Sequence, residues 1–297
     1  MSKLVPHRPE AFNMKNLRTY IAISLTVIVF IAGGCGKKSE SDVPVNTAES
    51  GVVLSDAPTS AGVDKKYLNM ITASLEYKEY DATNVCNIRE DDGRDYCVNI
   101  DDVALSEENG AQFIYAMETG TPLDENRQKE NFHVTLGSLK FLKFELLKDD
   151  KLKMIAESEL IACGPFGGPC EGQTYKVGNG PELAWTVITG DMHQGHAGTT
   201  LEAYAVINKK VKPIFSIQTS FSNEMAVGGD VPGAVTTMST KVTTVPSSAE
   251  KFSDLRVVVG GSNEGTPVNF STTLKFDSKT NTYDAKAVAK IYEGTEY

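Results

Sequence analysis

From Tyr67 onward, the pattern is mostly short stretches in which apolar and polar positions alternate, or short apolar runs. That period of two places every second side chain on one face of a half-buried strand. Runs of this kind occupy residues 74–80, 112–117, 140–147, 152–159, 183–189, 201–207, 214–218, 255–259, 271–276 and 283–289. They are rich in Val, Ile, Thr, Tyr and Phe, and clusters of Gly, Asn, Asp or Pro bound them. A helical period appears only weakly, over 64–73 and 285–292. The expected class is all-β, built from antiparallel hairpins and meanders with little helix. A sandwich, an open barrel and a propeller-like array all fit. A strand–turn–strand unit recurs, since 144–155 (FELLKDDKLKMI) aligns with 204–214 (YAVINKKVKPI) after one gap. Residues 276–283 (FDSKTNTY) form a third unit. Apolar arms need a shared sheet and the charged tips need water. The polar stretch 239–250 (STKVTTVPSSAE) reads as a weak joint. Residues 251–297 are too few for a good core of their own, so 65–297 is expected to be one β domain.

The first 34 residues carry a different pattern. Lys15 and Arg18 precede the apolar run 20–31 (YIAISLTVIVFI), and the small residues Ala32-Gly33-Gly34 lead directly into Cys35. A spanning helix needs about 20 apolar residues, so this run is short for an anchor and suits a signal peptide. The succession resembles the signal and lipobox of bacterial lipoproteins. The resemblance implies cleavage between Gly34 and Cys35, a diacylglyceryl thioether on Cys35, and acylation of its new amino terminus. Ala32 departs from the family, which usually has Leu there. The family's sorting logic, with Gly36 in place of Asp, points to the outer membrane. Pro6, Pro9 and Glu10 are unlike the start of a signal, and initiation at Met14 would give one of ordinary length. The other reading is an uncleaved anchor with an incidental Cys. Two or more acyl chains, at about 0.8 kcal/mol per buried CH₂, hold a protein at a membrane without a spanning helix. Residues 35–64 are rich in Ser, Gly, Pro, Asp and Thr and read as a flexible tether. Its root-mean-square span would be roughly 30 Å.

Composition narrows the classes. Apolar residues make up 40% and charged residues 23%, which is enough for a globular core and excludes a collagen or a disordered chain. The formal charge is −10. Lys3, Arg8, Lys15 and Arg18 against Glu10 give the first 34 residues +3, leaving −13 on 35–297. So acidic a body argues against nucleic acid and favours solubility or a cationic partner.

With Cys35 assigned to lipid, Cys86, Cys97, Cys163 and Cys170 remain. An even count in an exported domain reads as two disulfides. Folding about a turn at Asp91-Asp92-Gly93 brings Cys86 opposite Cys97, and the Gly- and Pro-rich segment 163–170 permits a tight return from Cys163 to Cys170. Neither spacing fits a zinc knuckle or a redox C-x-x-C pair.

The richest candidate chemistry lies in 189–200 (TGDMHQGHAGTT), read as a loop between two strands. Asp191, His193 and His196 offer a carboxylate and two imidazoles to a ligand, while its glycines let backbone approach closely. The plainer alternative is a polar hairpin tip that hydrogen-bonds locally. The stretch resembles Gly-rich connections in bacterial envelope proteins, which implies no activity. The acidic group Glu90, Asp91, Asp92 and Asp95 does not match a calcium loop and reads as a solvated hairpin tip. Trp185, the single Trp, is expected inside a sheet. Residues 260–264 (GGSNE) lack the last glycine of a nucleophile elbow, and 248–251 (SAEK) lacks the companions of an S-x-x-K enzyme. No metal site and no cofactor is expected. The sequence therefore points to a lipid-anchored envelope protein facing the periplasm that acts as a non-enzymatic binding or assembly module, with an envelope protein as partner. The alternatives are an envelope hydrolase using the 189–200 loop, and an acidic inhibitor of a cationic lytic enzyme.

Overall fold

The computed structural model describes residues 65–130, 135–164, 171–175, 182–227, 233–245 and 251–293. The signal, the tether and Cys35 lie outside them. The described chain is two open antiparallel sheets packed face to face, an all-β sandwich. Among the described residues no helix is long and apolar enough to cross a membrane.

Helix α1 (Lys65–Ser74) comes first among the described residues. Tyr67, Leu68 and Ile71 fall on one side of it, at the spacing that makes a helical stripe. The stripe covers the outer face of the first sheet, where Val103, Ile114, Ala116, Leu142 and Phe144 wait. That sheet runs β1 (Glu79–Asp81), β2 (Cys86–Asp91), β3 (Arg94–Glu108), β4 (Ala111–Pro122), β5 (Gly137–Leu146) and β6 (Leu152–Glu157) in sequence order. Strand β7 (Ile161–Cys163) also pairs with β5. The central strands β4 and β5 are buried on both faces, which explains their near-continuous apolar runs.

The second sheet is a meander of β8 (Glu171–Tyr175), β9 (Ala184–His193), β10 (His196–Ile207), β11 (Lys210–Ser222), β12 (Thr237–Val245), β13 (Asp254–Asn263) and β14 (Thr266–Leu274). A short helix α2 (Glu224–Val227) joins β11 to β12. The two sheets meet through Tyr115, Met117, Leu139 and Phe141 on one side and Leu183, Trp185 and Val187 on the other. Trp185 is fully buried, its ring 5.1 Å from those of both Tyr115 and Phe141. Gly172 on β8 allows this approach, since a Cβ there would stand 2.7 Å from the Met117 sulfur.

Strands β11 and β12 pair over three residues only, Ser220–Ser222 with Thr237–Ser239. The chain end plugs the opening beyond. Strands β15 (Phe276–Asp277) and β16 (Thr282–Tyr283) and helix α3 (Lys286–Ala289) bring Phe276, Tyr283, Val288 and Tyr292 onto the face of this sheet turned away from Trp185 and Tyr204, against Ala203, Ala205 and Ile217. Tyr292 bonds the Thr240 hydroxyl at 2.7 Å, and Tyr283 donates to the Ser253 carbonyl.

The three recurrent units are all hairpins, β5–β6, β10–β11 and β15–β16. Three expectations need correction. Residues 239–245, read as a joint, belong to β12, which pairs along its length with β13. Its Thr-rich alternation supplied the strand, and its polarity hid it. Residues 286–289, within a segment read as a strand, form α3, as the competing helical period there indicated. Residue 74 ends α1, and the strand expected from it begins only at Glu79.

Candidate functional site

Two Asp residues and a glycine start the site. Asp92 and Gly93 both adopt positive φ, 48° and 77°, and so form the two-residue turn that matches the twist of β2 and β3. The turn is closed by Asp91 opposite Arg94. The expected symmetric turn lay one residue earlier. The shift places Cys97 opposite Ile88, so Cys86 and Cys97 are diagonal neighbours rather than a facing pair. They share a face and are bonded, with Cα atoms 5.5 Å apart. Cys163 is buried and disulfide-bonded, and Cys170 lies outside the described residues.

The β2–β3 tip forms one wall of an open groove of about 820 Å³. Asp91, Asp92, Arg94 and Tyr96 line this wall, and Lys140 on β5 with Glu157 to Leu160 at the end of β6 line the other. Strand β4 runs between them, pairing Pro122 with Tyr96 and Glu118 with Lys140. The second wall is fixed by Ser158, which exchanges hydrogen bonds of 2.9 Å with the Phe141 backbone. Lys140 pairs with Glu157 at 2.7 Å, and Arg94 pairs with Glu130. The lining carries four carboxylates against two cations, so its field leans negative.

Behind the lining lies a buried charge pair. Arg89 on β2 meets Glu118 on β4, and Tyr77 donates its phenolic proton to the same carboxylate at 2.6 Å. Glu118 is 2% exposed. Such a carboxylate needs a cation and donors around it, because an unpaired buried charge costs several kcal/mol. Burial pushes the Tyr77 phenol up to about 12, against the opposing pull of Arg89. Burial also pushes the Arg89 guanidinium down, opposed by the field of Asp91, Tyr77, Tyr96 and Glu157. A bonded hairpin and a braced strand therefore hold the groove's walls, so its side chains project from a fixed frame.

A second buried pair stands on the opposite face, between the sheets. Lys143 bonds both oxygens of Glu108, at 2.9 and 2.7 Å, while Tyr115 donates to Glu108 at 2.6 Å. The ammonium lies over the rings of Phe113 and Tyr115, 4.4 and 4.7 Å from their centres. Burial pushes Lys143 down and Glu108 pulls it back up.

The segment 189–200 is not a loop. Strands β9 and β10 run through it and leave only Gln194 and Gly195 as the turn, with φ of 49° and 85°. Gly195 is required twice, by its φ and by α2, whose Ala226 nitrogen would sit 2.5 Å from a Cβ. The register sets His193 opposite His196 and Asp191 opposite Gly198. The side chains of Asp191 and His193 lie outside the described ones. His196 is half-buried, its ring 6.0 Å from that of Phe221.

Of the groove, sequence reasoning found the acidic tip and missed the rest. A signal for the pair behind it was present: Glu118 falls in phase with the apolar Ile114 and Ala116, and a charge at a core position calls for a partner. A scan of protein-family models finds none that matches the chain, and comparison with curated proteins and with solved structures finds no similar protein.

Proposed function

We propose that this chain is a lipid-anchored protein of the bacterial envelope that binds a partner protein in the β2–β3 groove without transforming it. The reading joins two things. Cys35 follows the basic, apolar and small residues of a lipoprotein signal, which would hold the body beside the outer membrane on the periplasmic side. The observation that carries the binding role is the open polar groove on a frame fixed by the Cys86–Cys97 bond and the Arg89–Glu118 pair. Rigid walls with projecting charges suit recognition, because little freedom is lost when a partner docks. The excess of carboxylates suits a basic surface on that partner.

The test has two arms in living cells. Metabolic labelling with an alkynyl fatty acid is expected to mark the chain and to fail in Cys35→Ala. A photocrosslinking residue in place of Tyr96 is expected to capture an envelope protein, and one in place of Gln194 at the β9–β10 turn is not. Capture should weaken as salt rises. Labelling without capture at residue 96 would overturn the groove and leave the anchor standing.

A further inference from the structure

Among the described residues the two sheets end in five outer strands, and four are short or charged, β7 with only three residues among them. Strand β1 has three residues, two of them acidic; β8 has five, beginning with Glu171; β6 has six, with Lys153 and Glu157. Short length and charge both discourage a further strand from pairing there. Strand β14 differs. It is nine residues long, TPVNFSTTL, and carries no charged side chain. Among the described residues no strand pairs with its outer side.

The register says which backbone groups face outward. Glu264 and Gly265 form a two-residue turn with φ of 47° and 76°, closed by Asn263 opposite Thr266. In such a hairpin the closing residues bond each other and the next pair does not. Thr266, Val268, Phe270, Thr272 and Leu274 therefore bond inward to β13. The N–H and C=O groups of Asn269, Ser271 and Thr273 point out, and so does the Pro267 carbonyl. Proline thus falls where its missing N–H leaves the inner ladder intact, and it blocks only one outward donor. Val268 and Phe270 lie half-buried against the core of the second sheet, at its open margin.

We propose that the outer side of β14 joins two copies of this chain by antiparallel strand pairing about a two-fold axis at Phe270. The strand is self-complementary about that point. Asn269 meets Ser271 of the second copy and Pro267 meets Thr273, so about six backbone hydrogen bonds form. Phe270 faces its own counterpart across the axis, and each Val268 faces a Thr272. Both pairs extend the apolar layer of the second sheet into a continuous fourteen-strand sheet. The absence of charge along the strand removes the repulsion that acidic bodies otherwise bring to a contact. This assembly goes beyond the groove and does not depend on it. One strand pair is a small contact beside those of stable dimers, so it calls for a covalent trap.

The test uses the full chain in membranes of the expressing cells, read on non-reducing gels against the unsubstituted chain. A two-fold axis lets only the residue on it meet itself. Phe270→Cys is expected to give a disulfide-linked dimer, while Thr273→Cys remains monomeric. Ser271→Pro, which removes an outward donor, is expected to cut the Phe270→Cys dimer about tenfold. Where Phe270→Cys fails to fold, benzoylphenylalanine at 270 keeps a ring there and traps the same dimer under light. Equal yields from 270 and 273, no dimer from either probe at 270, or trapping at 270 of another protein or of the same chain's tether would each overturn the proposal.

Discussion

The two sheets are held by different chemistry. In the first, ion pairs tie strand to strand and to the flanking chain: Arg89 to Glu118, Lys143 to Glu108, Lys140 to Glu157, Lys153 to Glu145 and Lys78 to both Glu90 and Asp95. In the second, hydroxyls and hydrocarbon do the same work. Thr199 bonds Thr219 and Ser220 at 2.8 and 2.6 Å, Thr236 bonds Asn263 at 2.9 Å, and a long aliphatic and aromatic core lies beneath. The contrast shows why the polar groove sits where it does. A sheet whose strands are already joined by charge can leave a charged surface open without losing its frame. A sheet held by burial has its other face, turned away from the first sheet, closed over by residues 276–292.

The sharpest way to break the comparison is at Lys143. Lys143→Ala is expected to cost about 3–5 kcal/mol in urea unfolding, because Glu108 is left buried without a cation. Lys143→Met with Glu108→Gln should recover most of that loss, since the pair is expensive to break and cheap to replace. Ile214→Ala in the second sheet should cost about 2–5 kcal/mol through cavity formation alone, with no charge change able to restore it.

Alkaline pH tests a buried phenol beside the first sheet next. The Tyr77 phenol is raised from 10.0 to about 12, so between those values the folded chain holds a proton that the unfolded chain has lost. Its contribution is complete below pH 10 and disappears as pH climbs through 12. The urea midpoint is expected to fall across that window, and Tyr77→Phe to lessen the fall by one phenol's share, since burial also raises Tyr115, Tyr204 and Tyr292.

The smallest effect concerns one backbone angle. Val85 has φ of 56°, a left-handed conformation that a β-branched residue adopts at a cost. It is 66% exposed, so little packing depends on its side chain. Val85→Gly should raise stability by about 1 kcal/mol, seen as a higher melting temperature of the first sheet's edge.

How much of this could be read from the chain depends on the strand. Strand 201–207 was plain because burial of one face writes period two into the sequence, and 140–147 because burial of both faces writes a near-continuous apolar run. Strand β3 went unseen beyond its start. Its residues Asn99, Asp101 and Asp102 break the alternation, and a register shift at 100–102 changes its phase midway. The pairing of Cys86 with Cys97 was legible but its register was not, since a turn moved by one residue moves every facing pair by two. Asp91 and Asp92 were visible as a hairpin tip. Their meeting with Lys140 and Glu157 was not, because only the order of strands between them brings the two walls together. The 189–200 segment misled through its glycines, which serve a two-residue turn and the packing of α2 rather than an open loop.

Both sheets are nearly pure meanders, each strand lying beside its neighbour in sequence, joined at several corners by turns of two residues. Few distant segments must find one another before a hairpin can close. Loop closure between neighbours is cheap, so folding can advance strand by strand from either end of a sheet. Such a chain should assemble faster than all-β proteins of crossed topology, with docking of the two sheets around Trp185 as the late step. Stopped-flow tryptophan fluorescence would follow that docking directly, because this single indole is buried only once both layers are in place.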